Sequence, residues 1–152
     1  ISKNWFFIMK DSLISIIIPT FNRKDLIINC LKSIKSQTYS NWECIIIDDH
    51  STDNSFQIIK KFIEDDGRIK VLKRPDNLKK GANACRNYGF ELSKGDYINW
   101  FDSDDLMKPN KLDKQLALIK KTGSDYVISQ TEVLDIITGV KRFWNDNLLS
   151  DH

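Results

Sequence analysis

Histidine is nearly absent from this sequence. His50 and His152 are the only two in 152 residues, and no G-x-S-x-G elbow accompanies them, so a Ser/His/Asp hydrolase has no support. Cysteine is scarce and odd in number. Cys30, Cys44 and Cys85 lack metal-ligand spacing and sit within apolar patterns, which reads as core thiols in a reducing cytosol and not as a disulfide framework. An excess of charge of one sign is missing too: 23 basic and 21 acidic residues leave a net charge of +2. Composition therefore gives no reason to expect nucleic acid or an anionic membrane as partner, and any anion site must be local. No run approaches the roughly 20 apolar residues that span a bilayer, and "WFFIM" is too short for the apolar core of a signal peptide. The glycine-rich phosphate loops are also absent, since neither G-x-G-x-x-G nor G-x-x-x-x-G-K-[ST] occurs.

What is present is a steady alternation of strand-like apolar runs with helical patterns, the rhythm of a parallel α/β sheet with helices on both faces. The hydrophobic content of 41% is enough for a core of one domain. "LISIIIP" is continuously apolar and β-branched, as a strand covered on both faces should be, and Pro19 stops it. Asn22 can then cap a helix in which Ile27, Cys30, Leu31 and Ile34 recur at helical spacing. "WECIIID" is the second buried strand. A second helix is expected over about 53–65 with Gly67 beyond its end, and "IKVLK" is a shorter third strand. A third helix over about 80–93 is closed by Gly95, and "YINWF" follows as the fourth strand. After Pro109 a fourth helix carries Leu112, Leu116 and Ile119 to Gly123, then "DYVISQTEVLD" leads into a Thr138–Gly139 turn. Residues 1–10 read as a peripheral segment because Met9 directly precedes "KDSLISIII". The main domain is expected over 11–137, with a hairpin and tail over 138–152.

In open parallel sheets the loops after the carboxyl ends of the strands make the binding crevice. Here those loops are "PTFNR", "DDHSTDNS", "KRPDNLKK" and "DSDD", so hydroxyls, carboxylates and cations gather at one edge. The last of these places Asp102, Asp104 and Asp105 together despite their repulsion. One carboxylate about 4 Å from a phosphate oxygen costs roughly 4 kcal/mol at an effective dielectric of about 20, so a diphosphate would be expelled from the three. A bridging Mg²⁺ or Mn²⁺ reverses that sign, and one or two carboxylates plus substrate phosphates make a common shell for such hard cations. An EF-hand does not fit, because positions six and twelve counted from Asp102 are Met107 and Asp113. Asp53 or Ser51 reads as a helix cap, while a carboxylate fixed at a sheet edge, Asp48 or Asp49, can accept the imide N–H of a uracil. Lys79 and Lys80 read as solvated cations at a helix start, and His50 as a solvated loop residue. Arg86, on the face with Ala82 and Gly89, can reach a phosphate.

Four segments in fixed order, "SIIIPTFNR", "IIIDDHSTDNS", "GANACRNYGFELSKGDYINWFDSDD" and "LMKPNKL", resemble a family 2 glycosyltransferase of the GT-A fold, a Rossmann-like architecture, from Leu13 to about Val133. The resemblance implies that Pro19, Thr20, Asn22, Asp48, Asp49, Arg86 and Asp102 hold the nucleotide of a sugar donor, usually a UDP-sugar. It also implies that Asp104, with Asp102 and Asp105, holds Mn²⁺ or Mg²⁺. The expected acceptor is a carbohydrate or a lipid-linked sugar; a homo-oligomer is compatible with the family. The expected location is the cytoplasm or the inner face of the membrane. The family often has Gly where this chain has His50. It also uses a catalytic Asp or Glu from a further half, and Glu132, Asp135 and Asp146 match no such motif, so the base is expected beyond His152. The alternatives from the residues alone are a nucleotide-binding module without catalysis and a sugar nucleotidylyltransferase, whose Gly-rich basic signature "PTFNR" lacks.

Overall fold

The computed structural model describes residues 12–129, 131–134 and 140–143. The expected N-terminal segment, the Thr138–Gly139 turn, Asp135, Asp146 and the tail from residue 144 lie outside them. The chain divides into two compact units, Ile1–Lys111 and Leu112–His152.

The first unit is built on β1 (Ile14–Thr20), which is buried along its whole length, as a β-branched run with no polar face requires. It pairs in parallel with β2 (Trp42–Asp48) on one side and β4 (Tyr97–Trp100) on the other. β3 (Ile69–Lys73) continues the sheet beyond β2, giving the order β3-β2-β1-β4. Two helices, α1 (Ile27–Lys35) and α2 (Ser55–Phe62), connect β1 to β2 and β2 to β3, stepping across the sheet in one direction. The connection through α3 (Ala82–Leu92) runs from β3 back to β4 in the opposite direction. Right-handed crossovers then place α1 and α2 on one face and α3 on the other.

α1 buries Ile27, Cys30, Leu31 and Ile34, the four positions its spacing predicts, each large aliphatic contributing roughly 1.5–3 kcal/mol. α3 approaches the sheet so closely at Gly89 that a Cβ there would stand 2.6 Å from Ile17 Cγ2. Beside it, Cys85 joins Ile45 and Ile47 in one cluster with Leu72 and Tyr88 against it.

Four local expectations change, the first being that Pro19 does not stop β1, which runs on to Thr20 and pairs with Asp48 there. Asn22 is not a helix cap: α1 starts at Ile27, no side chain caps it, and Asn22 takes a left-handed φ of 51° five residues earlier. α3 begins at Ala82, after Gly81 at φ 127°, and ends at Leu92. Gly95 consequently does not close that helix. It sits against β1, where a Cβ would lie 2.6 Å from both Ser15 N and Ser15 Oγ, and its amide donates to Ser15 Oγ at 2.8 Å. The fourth strand is also less covered than its composition suggests, since Trp100 is half exposed and only Phe101, just beyond, is buried.

In the second unit α4 (Lys111–Thr122) buries Leu112 and Leu116. Gly123, at φ 66°, ends it by donating its amide to Ile119 O at 2.8 Å, the left-handed stop the sequence indicates. β5 (Glu132–Leu134) pairs antiparallel with β6 (Lys141–Phe143). Within "DYVISQTEVLD" the strand is Glu132–Leu134. Residues 125–129 form no strand, and Tyr126 and Ile128 are 75% and 84% exposed, so their β-branched and aromatic character finds no sheet to pack on.

Candidate functional site

The parallel register pairs Thr20 with Asp48 and Ile17 with Trp100, so β2, β1 and β4 finish at one edge and their loops meet there. The first two loops are stitched together. Asn22 N donates to Ser51 Oγ at 2.9 Å, Arg23 N to Ser55 Oγ at 2.9 Å, and Lys24 N to Asp53 Oδ2 at 3.1 Å. In return Asn22 Oδ1 accepts the Thr52 amide at 2.8 Å. Asn22 therefore uses its side chain on the neighbouring loop. Asp53 does hold a first-turn amide of α2, accepting from Ser55 N at 3.0 Å. Its burial, which would raise its pKa, is outweighed by the bonds from Ser55 and Lys24, and the carboxyl falls below its ordinary range.

The two carboxylates after β2 diverge. Asp48 is fully buried and accepts the Ser51 amide at 2.9 Å through Oδ2, while its Oδ1 has no partner among the described residues. Asp49 lines a cleft of about 300 Å³ instead. Its Oδ1 accepts from Arg74 Nε at 2.5 Å and its Oδ2 from the Gly81 amide at 2.9 Å. Arg74 is itself buried and had no distinguishing mark in the sequence beyond its place after the third strand. Its position follows from the register: Asp48 pairs with Lys73, so the next residues, Asp49 and Arg74, stand side by side.

On the other side of β1, Arg86 Nη2 donates to Asp102 Oδ1 at 2.6 Å, and Arg23 Nε lies 3.5 Å from Asp104 Oδ2. The "DSDD" loop is anchored from α1. Cys30 Sγ approaches Asp102 O at 3.6 Å, and Ser33 Oγ accepts the Met107 amide at 2.9 Å. Asp102 and Asp104 line the cleft and Asp105 does not. Asp105 is raised above the ordinary carboxylate range, first by burial and then by repulsion from Asp102 and Asp104, with Lys111 opposing.

The cleft therefore crosses the ends of β2, β1 and β4, with Pro19, Thr20, Phe21 and Asp49 toward β2 and Arg23, Arg86, Asp102, Ser103 and Asp104 toward β4. Thr20 is 3% exposed, and its Oγ1 has no partner among the described residues. A buried hydroxyl without a partner calls for an explanation, and this one lies on the cleft wall. Phe21 offers a 40% exposed ring, with Lys80 Nζ 4.7 Å from its centroid. Cys85 underlies the same cleft with its thiol pushed up to about 11 by burial and by Asp49. Among the described residues no three His, Cys, Asp or Glu side chains come together as a closed metal shell. The donor set at this edge is a partial one, two carboxylates flanked by two guanidinium groups. The sequence reading missed Phe21, Arg23 and Arg74. The first two lie inside "PTFNR", so their adjacency to Thr20 was the available signal.

A parallel α/β sheet with a polar crevice across the carboxyl ends of its strands is an architecture that takes its ligand at that edge. The sequence profile of glycosyl transferase family 2 matches residues 15–144. The chain is 38% identical over 116 residues to the glycosyltransferase GlyG of Streptococcus pneumoniae, covering 76% of this chain and 38% of GlyG. It is 34% identical to WfgD of Escherichia coli, a UDP-Glc:alpha-D-GlcNAc-diphosphoundecaprenol beta-1,3-glucosyltransferase, covering 89% of this chain and 52% of WfgD. The structure of S. aureus TarS 1-349 in complex with UDP-GlcNAc superimposes with a TM-score of 0.66 at 29% identity, over 74% of this chain and 32% of that one. The chain belongs to glycosyl transferase family 2 and has the GT-A fold. It spans about half or less of the length of these relatives.

Proposed function

We propose that this chain forms the donor-binding part of a glycosyltransferase that moves a sugar from UDP to an acceptor hydroxyl. The observation that carries this reading is the cleft itself. A buried unpartnered hydroxyl (Thr20), an exposed aromatic ring (Phe21) and a fixed carboxylate (Asp49) at one end suit a pyrimidine nucleoside. Two cations (Arg23, Arg86) facing two carboxylates (Asp102, Asp104) at the other suit a diphosphate. The complex of TarS with UDP-GlcNAc supports UDP as carrier. The acceptor named for WfgD supports a lipid-linked sugar, and with it a cytoplasmic site of action at the inner face of the membrane. No helix among the described residues is long and apolar enough to cross a membrane.

Asp102 and Asp104, two carboxylates at the diphosphate end of the cleft, would hold a divalent cation together with oxygens of the substrate. When bound there, Mn²⁺ or Mg²⁺ would supply positive charge against the departing nucleoside diphosphate. The chain's own residues exchange partners on nucleotide binding. Arg86 and Arg23, now on Asp102 and Asp104, turn to the phosphate oxygens and hold them bidentately, as guanidinium groups do. Asp49 and Thr20 orient the base, fixing the anomeric carbon for in-line attack with inversion. A carboxylate supplied from beyond residue 152 takes the proton of the acceptor hydroxyl.

Calorimetric titration with UDP, with and without Mn²⁺, followed by a donor-hydrolysis assay, tests the reading. UDP binding strengthened by Mn²⁺ is the expected result. Donor hydrolysis by the chain would exclude the second reading, a nucleotide-binding module without catalysis that works with another chain. No binding under either condition overturns both.

A further inference from the structure

We infer that Arg74 is a positioning residue that sets the base selectivity of the cleft by holding Asp49 as a fixed hydrogen-bond acceptor. The inference rests on the nucleotide-binding reading above. The guanidinium ties three groups together: Nε donates to Asp49 Oδ1 at 2.5 Å, and Nη1 donates to Pro75 O at 2.8 Å and Leu78 O at 2.5 Å. His50 Nε2, 2.8 Å from Arg74 O, holds the same residue's backbone, and 3.3 Å from Asp76 it ties down the start of the following loop. That loop ends at Gly81, whose amide closes the circuit on Asp49 Oδ2. Both carboxylate oxygens are thus pinned, one by the guanidinium and one by the loop that the guanidinium folds.

A carboxylate has about four lone-pair sites and two are used here, so each oxygen retains one for a ligand. Burial makes the arrangement matter. The side chains of Asp49 and Arg74 are 6% and 9% exposed, so the acceptor is not free to turn toward bulk water. A pinned, acceptor-only group favours a base whose edge carries an N–H, as uracil does at N3, and disfavours one presenting a lone pair there, as cytosine does. A site built around a hydrogen bond rejects the analogue lacking it because its own buried group is left unpaired. Without the fork of Arg74, Asp49 can rotate about its terminal torsion and the 75–81 loop loses its two carbonyl ties. Selectivity is then lost while the diphosphate end, on the far side of β1, is untouched.

The test compares UDP with CDP on the full 152-residue chain, as wild type, Arg74→Met and Arg74→Lys. Wild type is expected to prefer UDP at least tenfold. Arg74→Met is expected to lose roughly ten- to hundredfold in UDP affinity, one hydrogen bond to a charged group, and nothing for CDP, bringing the ratio near one. Arg74→Lys keeps the charge but lacks the fork, and is expected to fold and still lose the preference. It decides the matter should Arg74→Met not fold. Equal weakening of UDP and CDP, an unchanged ratio in Arg74→Lys, or a wild type that binds both nucleotides equally would each overturn the inference and leave nucleotide binding standing. A wild type that binds neither removes the reading beneath it.

Discussion

Arg86 reaches from the first turns of α3 to Asp102 beyond β4, with Nη2 and Oδ1 2.6 Å apart. The pair joins two segments 16 residues apart that enclose the cleft, and both side chains remain partly open to water, at 29% and 55% exposure. An exposed pair of this kind contributes little to stability, so the interest of the contact lies in how readily it can be exchanged.

Arg86→Met is accordingly expected to leave the melting temperature within about 2 °C of wild type. It should weaken UDP roughly tenfold or more and uridine hardly at all. Calorimetry with both ligands measures the difference, and equal loss for uridine would place Arg86 away from the phosphates.

Asp104→Ala separates metal from nucleotide. The expected outcome is UDP affinity that no longer responds to Mn²⁺, with an unchanged urea midpoint, because the side chain is 45% exposed and makes only a 3.5 Å ion pair. Retained Mn²⁺ dependence would refute its assignment as a ligand.

Gly89→Ala tests the closeness of α3 to the sheet. The added methyl would meet Ile17 Cγ2 at 2.6 Å and Ile47 Cγ1 at 3.4 Å, so α3 or β1 must shift. Overpacking of this kind costs about 1–3 kcal/mol, read as a fall in the urea midpoint at constant slope. A gain in stability, from the better helix propensity of Ala, would show that the contact relaxes freely.

Asp66 gives a pH signature. The hydrogen bond from Arg68, stronger than the opposing effect of burial, and the nearby Lys35 lower its carboxyl from 3.8 to about 2. A depressed folded-state value means the stabilisation is complete above the unfolded value and fades as pH falls toward 2. Because Arg68 is 42% exposed and solvent screens the pair, its size is about 1 kcal/mol. Asp66→Asn should lower stability at pH 6 and flatten its decline between pH 4 and pH 2. A parallel decline in both proteins would contradict it.

The three thiols are buried, and burial raises the pKa of each. Native protein at pH 8 is expected to resist a thiol reagent that labels Cys30, Cys44 and Cys85 in urea. Rapid native labelling of Cys85 would mean that the cleft floor opens.

Much of the architecture is written locally. "LISIIIP" has no polar face, so it has to be a central strand. The helical spacing of Ile27, Cys30, Leu31 and Ile34 names the face α1 buries. The four polar strand ends then converge because parallel strands all finish at one edge. Periodicity carries these features because each depends on neighbours three or four residues away, or on strict strand burial. Where the reading departed from the structure, the deciding partner was distant in sequence. Asn22 resembles a helix cap until Thr52, 30 residues on, claims its oxygen. Gly95 resembles a helix stop until Ser15, 80 residues away, leaves no room for a Cβ.

The acidic loops show the same division of labour. The sequence by itself determined which carboxylates gather at the strand ends, because charge type and strand periodicity are local properties. Only the tertiary structure decided their separate fates: Asp48 turned into the protein, Asp49 locked by Arg74, Asp102 and Asp104 facing two arginines, and Asp105 outside the cleft. Those outcomes depend on the register between parallel strands and on the crossing of α3 over the sheet, where residues far apart in the chain meet within hydrogen-bond reach.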